Sequence, residues 1–276
     1  MICGFLLTVC SIISSIIFGF YFWYSFYVVG AFIFFGALNC KHNAKTVFTL
    51  LCEKKIKKFL MIYLGGVLFS FFVDIVYGRN VSSLWHYPHL SGSMSLIIPV
   101  FIYYPFGGLQ VYEIFYCLKR KLNKKIKNKS LYKIPKAVRS RLSYLFIIFL
   151  ISGVVIPILN FYLNANESAS ELIVIFMILT TFSADMIIYR FNKKSILFSL
   201  LEGNKLVLAT MVLSWTVSML LTEYPNTFSW EWIYTMPFTN FEVAKMNIVV
   251  ITFGWFFLVY APLRSIDLIL YLLKEK

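Results

Sequence analysis

Residues 119–141, KRKLNKKIKNKSLYKIPKAVRSR, carry eleven Lys and Arg and no acid, and they separate an apolar run at 94–118 from another at 142–163. A basic linker between two such runs marks a chain that leaves a bilayer and re-enters it, since a spanning helix needs roughly 20 mostly apolar residues. Outward from this linker, six further runs qualify, at about 3–20, 21–39, 58–78, 170–190, 206–222 and 246–270. The expectation is an all-α polytopic membrane protein with eight spans. The run at 206–222 is the weakest, because Glu202, Asn204 and Lys205 interrupt its approach. The first run opens Met1-Ile2-Cys3, with no cationic n-region and no small-residue cleavage site before the next apolar stretch, so it reads as a retained helix.

Composition agrees. Of 276 residues 60% are hydrophobic and 14% charged, whereas soluble domains average about 45–50% and about 25%. Disorder is excluded, because it requires low hydrophobicity. The 26 Lys and Arg outnumber the 12 Asp and Glu. On an alternating eight-helix path 24 of the 26 cations fall on one face, and only Arg79 and Lys245 fall on the other. The positive-inside rule makes the basic face cytoplasmic, with both termini on it. The charge excess is then a topology signal, and nucleic acid is not an expected partner. The Lys119–Arg141 loop is expected to meet anionic lipid headgroups, with docking of a cytosolic or membrane protein as the alternative. An abundance of Lys, Ile, Phe and Asn points to an AT-rich genome and a bacterial cytoplasmic membrane.

The linker divides the chain into a membrane half at 1–118, the basic segment at 119–141 and a second half at 142–276. Four spans in each half make them parallel repeats, related by an axis along the membrane normal. Their last hairpins share a pattern. Span three ends in Asp74, and its outer loop places Trp85 and Tyr87 before Pro88; span seven ends in Glu223, and its loop places Trp232 and Tyr234 before Pro237. The following helices carry Tyr104-Pro105 and Tyr260-Ala261-Pro262.

The segment DIVYGRNVSSLWHYPHLSGSMSLIIP, Asp74 to Pro99, resembles the lycopene cyclase domain of carotenoid-producing microbes. That family joins an acid at a helix end, a W-x-Y-P loop, a downstream Gly and a Pro opening the next helix, often twice in one chain. The matching positions are Asp74, Trp85, Tyr87, Pro88, Gly92 and Pro99, and more loosely Glu223, Trp232 and Tyr234. The family normally follows that proline with paired glutamates, whereas here Pro99 precedes Val100, Phe101 and Ile102. The resemblance implies an isoprenoid cyclase-like isomerase, or a relative that has lost or changed the acid chemistry.

Acids near the membrane carry the functional reading, because an ionisable group at bilayer depth is costly. A desolvated carboxyl can hold its proton and act as a general acid. Isoprenoid cyclisation needs that acid, together with aromatic faces that stabilise a carbocation. Asp74 and Glu223 are the candidate catalytic acids, and Trp85, Tyr87, Trp230, Trp232 and Tyr234 the candidate substrate-binding aromatics. The competing reading is that tryptophans and tyrosines simply form the interfacial belt of a membrane protein. Glu113 and Asp185 lie nearer the inner boundary and could form a proton path. Lys119 or Arg120 is an expected partner for Glu113, and Arg190 for Asp185. Two alternatives follow: a small proton-coupled transporter using Glu113, Asp185 and the span prolines, or a non-catalytic accessory subunit. His86 and His89 lack further ligands, so no metal is expected, and no motif calls for a cofactor.

Overall fold

In the computed structural model the described residues are 1–81, 85–163, 181–192, 194–235, 242–243, 246–247 and 250–274, and most of them are helical. Helices α1 (Ile2–Phe18) and α2 (Trp23–Lys41) are followed by the short α3 (Val47–Cys52) and by α4 (Ile56–Ser70), which widens into a π-helical stretch, Phe71–Val81. After strand β1 (Trp85–His86), α5 (Met94–Ile98) and α6 (Tyr104–Asn123) join through a π turn, Pro99–Tyr103. Next come α7 (Lys136–Leu163), α8 (Ser183–Asn192), the short α9 (Ile196–Leu201) and α10 (Lys205–Ser229). Strands β2 (Ile233–Tyr234), β3 (Glu242–Val243) and β4 (Met246–Asn247) lead through a π turn, Val250–Gly254, into α11 (Trp255–Leu272). The all-α expectation holds, with two small antiparallel pairs, β1–β2 and β3–β4, that the helical reading did not include.

Among the described residues five helical segments are long and apolar enough to cross a bilayer: Trp23–Lys41, Ile56–Ile75, Met94–Asn123, Lys205–Ser229 and Val250–Leu272. Of the other three expected spans, the first is the apolar but shorter α1, of 17 residues. The run at 142–163 falls inside α7, and residues 164–180, which include most of the run at 170–190, lie outside the described residues. The span expected to be weakest is well formed. The Asn204 side chain accepts from Val207 N at its start, so the polar interruption is a helix cap, and the helix continues past Glu223 to Ser229.

The surface carries large apolar side chains along the helices, including Leu60, Met61, Leu64 and Leu68 on α4, Ile148 and Ile151 on α7, and Leu208, Val212 and Leu213 on α10. Such bands suit hydrocarbon as solvent, where helix association rests on close packing rather than on water exclusion. Helix α6 is the central post and packs against α2, α4, α10 and α11, contributing Leu109, Tyr112 and Phe115 to the main core. Helices α1 and α2 approach closely at two glycines. A Cβ on Gly4 would stand 2.7 Å from Phe34 N, and one on Gly30 would stand 2.8 Å from Thr8 N.

The basic linker is folded rather than loose. Leu131 N donates to Glu202 O at 2.9 Å, Ile134 N to the Glu202 carboxylate at 2.8 Å, and Arg139 pairs with the same carboxylate. Asn204 Nδ2 reaches Asn128 Oδ1 at 2.8 Å. The linker thus lies on the α9–α10 turn.

Candidate functional site

The two W-x-Y loops meet. Strands β1 and β2 pair antiparallel, Trp85 opposite Tyr234 and His86 opposite Ile233. This contact draws the candidate acids from the two halves toward one aromatic cluster at the same end of the bundle. Asp74 is fully buried and accepts from Trp85 Nε1 at 2.8 Å and Tyr87 OH at 2.9 Å, with Tyr104 OH at 3.4 Å. Glu223 is buried and accepts from Tyr234 OH at 2.6 Å and Trp255 Nε1 at 2.7 Å, while Trp232 Nε1 donates to Tyr234 OH at 3.0 Å. Each acid is therefore bonded to the tyrosine of its own loop. The tryptophan bonds directly to Asp74 in one half and reaches Glu223 through Tyr234 in the other. Tyr104 lies within interaction range of both Tyr87 and Tyr234, which connects the two constellations.

The backbone explains how these side chains arrive. Three helical segments reach this cluster through wide π turns: Asp74 sits inside the stretch Phe71–Val81, Tyr104 follows Pro99–Tyr103, and Trp255 follows Val250–Gly254. A π turn rotates the following side chains out of α-helical register, and such turns are frequent at functional sites. Gly78 provides the platform on which the Trp85 indole rests, since a Cβ there would overlap the ring.

Trp230 does not join the cluster. It closes α10 with left-handed backbone, φ 52° and ψ 41°, and is 50% exposed. Its neighbour Glu231, which the sequence reading passed over, takes the inward place. That carboxylate is 1% exposed and accepts from Tyr103 OH and from Tyr24 N at 3.1 Å. Burial raises its pKa to about 8, against the opposing effect of those two bonds. Around it Tyr24 meets Trp232 edge-on at 4.9 Å and Tyr103 at 5.1 Å. A carboxylate between two tryptophans at a helix end was the available signal.

Glu113 and Asp185 belong to a separate network. Glu113 accepts from Asn39 Nδ2 at 2.7 Å and Phe48 N at 2.8 Å, and so caps the start of α3. Arg120 reaches this group through Asn39 Oδ1 at 3.0 Å. Asp185 caps α9 in the corresponding manner, accepting from Ser195 Oγ at 2.6 Å, Ile196 N at 3.2 Å and Leu197 N at 2.9 Å. Its ionic partner is Arg264, at 2.5 Å, rather than the expected Arg190. Arg190 instead lies over the Tyr144 ring at 3.3 Å and donates to Ser140 O. The reason is geometric: Asp185 faces α11 inside the bundle, whereas Arg190 faces α7. Arg264 also holds Asp267 at 2.6 Å, and Tyr112 and Tyr116 donate to Asp267. The i,i+3 pair Arg264–Asp267 in an apolar helix was a signal for this network, because isolated charges at that depth are expensive.

Between α4, α6 and α11 lies an apolar crevice of about 40 Å³, with Tyr104 among its lining residues. Gly65, Gly66, Pro105, Gly108 and Pro262 form much of its wall. His89 stacks on Tyr21 at 4.7 Å and His86 is exposed. Among the described residues no group of three or more His, Cys, Asp or Glu is placed to hold a metal. Comparison with known protein families, curated proteins and solved structures found no match for this chain.

Proposed function

We propose that this chain is a membrane enzyme acting on an apolar lipid or isoprenoid, with Asp74 and Glu223 as its acid–base pair at the outer interface. The observation that carries the reading is their convergence, from distant parts of the sequence, on one buried cluster of Trp85, Tyr87, Tyr104, Trp232, Tyr234 and Trp255. One protonated carboxyl donates to an alkene, the resulting carbocation lies against aromatic faces, a carbon–carbon bond closes the ring, and the second carboxyl removes a proton. No redox partner is needed. The resemblance to lycopene cyclase domains supports the same substrate class, and the missing glutamate pair makes Asp74 and Glu223 the acids on which the chemistry depends.

The reading extends to the architecture. The halves are parallel repeats in which a short capped helix, α3 or α9, precedes the long helical segment that carries the acid. Both termini and the basic linker lie in the cytoplasm of a bacterial cell, the linker's outward cations facing anionic lipid. The transporter alternative depends on Glu113 and Asp185, and the capping bonds that both residues make weigh against it.

The test is conversion of isoprenoid substrates by membranes carrying the intact protein, Asp74→Asn or Glu223→Gln. Loss of conversion in either variant, with protein levels kept, is the expected result. Full conversion by both would remove the acid-catalysis reading.

A further inference from the structure

Helix α10 carries a polar row that the outer site does not use. In an apolar bundle a Ser or Thr normally gives its hydroxyl hydrogen to the carbonyl one turn back. Thr8 does so to Gly4 O at 2.8 Å, Ser70 to Gly66 O at 2.6 Å, and Thr210 to Leu206 O at 2.7 Å. Ser214, Ser218 and Thr222 continue the face of Thr210 at four-residue steps, are at most 1% exposed, and make no such bond. Beside Thr222 stand Tyr27 on α2 and Gln110 on α6, both fully buried. The Tyr27 hydroxyl lies within influence of the Thr222 hydroxyl and the Gln110 amide, yet none of these groups has hydrogen-bond geometry to another protein atom. Gln110 has neither its amide nitrogen nor its oxygen bonded, and Trp23 Nε1, one turn from Tyr27, is in the same condition. From Ser214 to Thr222 the row rises about 12 Å at about 1.5 Å per residue.

The chemistry of the row selects its ligand. Trp23 Nε1 and Gln110 Nε2 only donate, Gln110 Oε1 only accepts, and the hydroxyls do both. Neither an acid nor a cation belongs to the row. Glu223 follows Thr222, but its carboxylate is turned to Tyr234 and Trp255. A metal cation would face two N–H donors without a counter-charge, and an anion would lack a cation. A small neutral molecule that both donates and accepts meets every group.

We propose that Trp23, Tyr27, Gln110, Thr222, Ser218 and Ser214 bind a file of water molecules inside the bundle, from beneath the outer aromatic cluster toward the middle of the membrane. Polar interiors are hydrated in this way when each water finds two to four partners. The file stands independently of the catalytic reading. It adds a hydrogen-bonded route along which a proton could reach the neighbourhood of Glu223.

Radiolytic hydroxyl-radical labelling of the full-length protein in nanodiscs tests the file, because bound water activated in place oxidises the aromatic rings beside it. Tyr27 and Trp23 should be labelled several-fold faster than the equally buried Tyr112, and Gln110→Met should abolish the difference. Labelling of Tyr27 and Trp23 at the rate of Tyr112 would overturn the proposal. Thermal stability gives a second reading. Gln110→Met removes a hydrated amide at nearly constant volume and should lower the Tm by a few degrees; a higher Tm would mean that the amide is dry and unpaired. A Tm that rises in sodium or potassium relative to choline chloride at equal ionic strength would identify a cation site instead and overturn the water file.

Discussion

Trp85 and Tyr234 stand opposite each other in a two-residue antiparallel pair, although they belong to different halves of the chain. Two residues of ladder are too little to hold strands together unaided. The side chains supply the rest: Trp85 is anchored on Asp74 and Tyr234 on Glu223. The acids therefore fix the loops to the ends of α4 and α10, and the pairing of the loops fixes the halves to each other.

That relationship can be tested without touching the anchors. His86 and Ile233 form the second rung of the ladder, and His86 points outward. In a variant lacking the five native cysteines, His86→Cys with Ile233→Cys should form a disulfide on mild oxidation. After proteolysis within residues 124–135 the two halves should then migrate as one species until reduced. Separation before reduction would show that the loops do not pair.

The acids also carry stability. Asp74→Asn keeps the volume but replaces the carboxyl oxygen that accepts from Trp85 and Tyr87 by an amide, and should cost about 1–3 kcal/mol. Tyr87→Phe removes one of these bonds and should cost about 1 kcal/mol. Since both changes act on one bond, the double variant should lose less than the sum. Denaturant titration in detergent measures all three, and strict additivity would show that the bond contributes little.

The long apolar helices were legible because an apolar run is a local, one-dimensional signal. Asp74, Trp85, Tyr87, Glu223, Trp232 and Tyr234 were legible because each half repeats the same order of acid, tryptophan and tyrosine within a dozen residues. The partners supplied by distant helices could not be read. Trp255 reaches Glu223 only because a π turn redirects it, and Arg264 reaches Asp185 across the bundle. Arg190 was the natural partner by sequence spacing, yet spacing does not say which helix face meets a neighbour. Trp230 was expected in the cluster and Glu231 was not read at all, for a similar reason: the left-handed residue that ends α10 leaves the tryptophan exposed and the carboxylate buried.

The Arg264 pairing gives an asymmetric expectation. Arg264→Leu leaves the Asp185 and Asp267 carboxylates buried without their cation and should destabilise by about 3–5 kcal/mol. Combining it with Asp267→Asn removes one uncompensated charge and should recover part of that loss. Arg190→Ala removes a cation lying on Tyr144 and should cost about 1 kcal/mol. Equal losses in the two single arginine variants would return Asp185 to Arg190.

Glu231 makes the stability of the aromatic cluster depend on pH. Its folded-state pKa, raised by burial to about 8, exceeds the ordinary value of 4.5. Between those values the folded protein holds a proton that the unfolded chain has released, so the folded state binds more protons and stability falls as pH rises. The contribution is complete below pH 4.5, declines through the interval, and is lost once pH passes about 8. Glu231→Gln keeps an acceptor for Tyr103 and Tyr24 N but cannot ionise, so it should flatten this decline. Thermal denaturation in detergent from pH 5 to pH 9 should show the Tm of the parent protein dropping toward the alkaline end and that of the variant changing less. Parallel curves would mean that Glu231 is ionised in the folded protein throughout, with the Tyr103 hydroxyl and the Tyr24 amide sufficient to hold its charge.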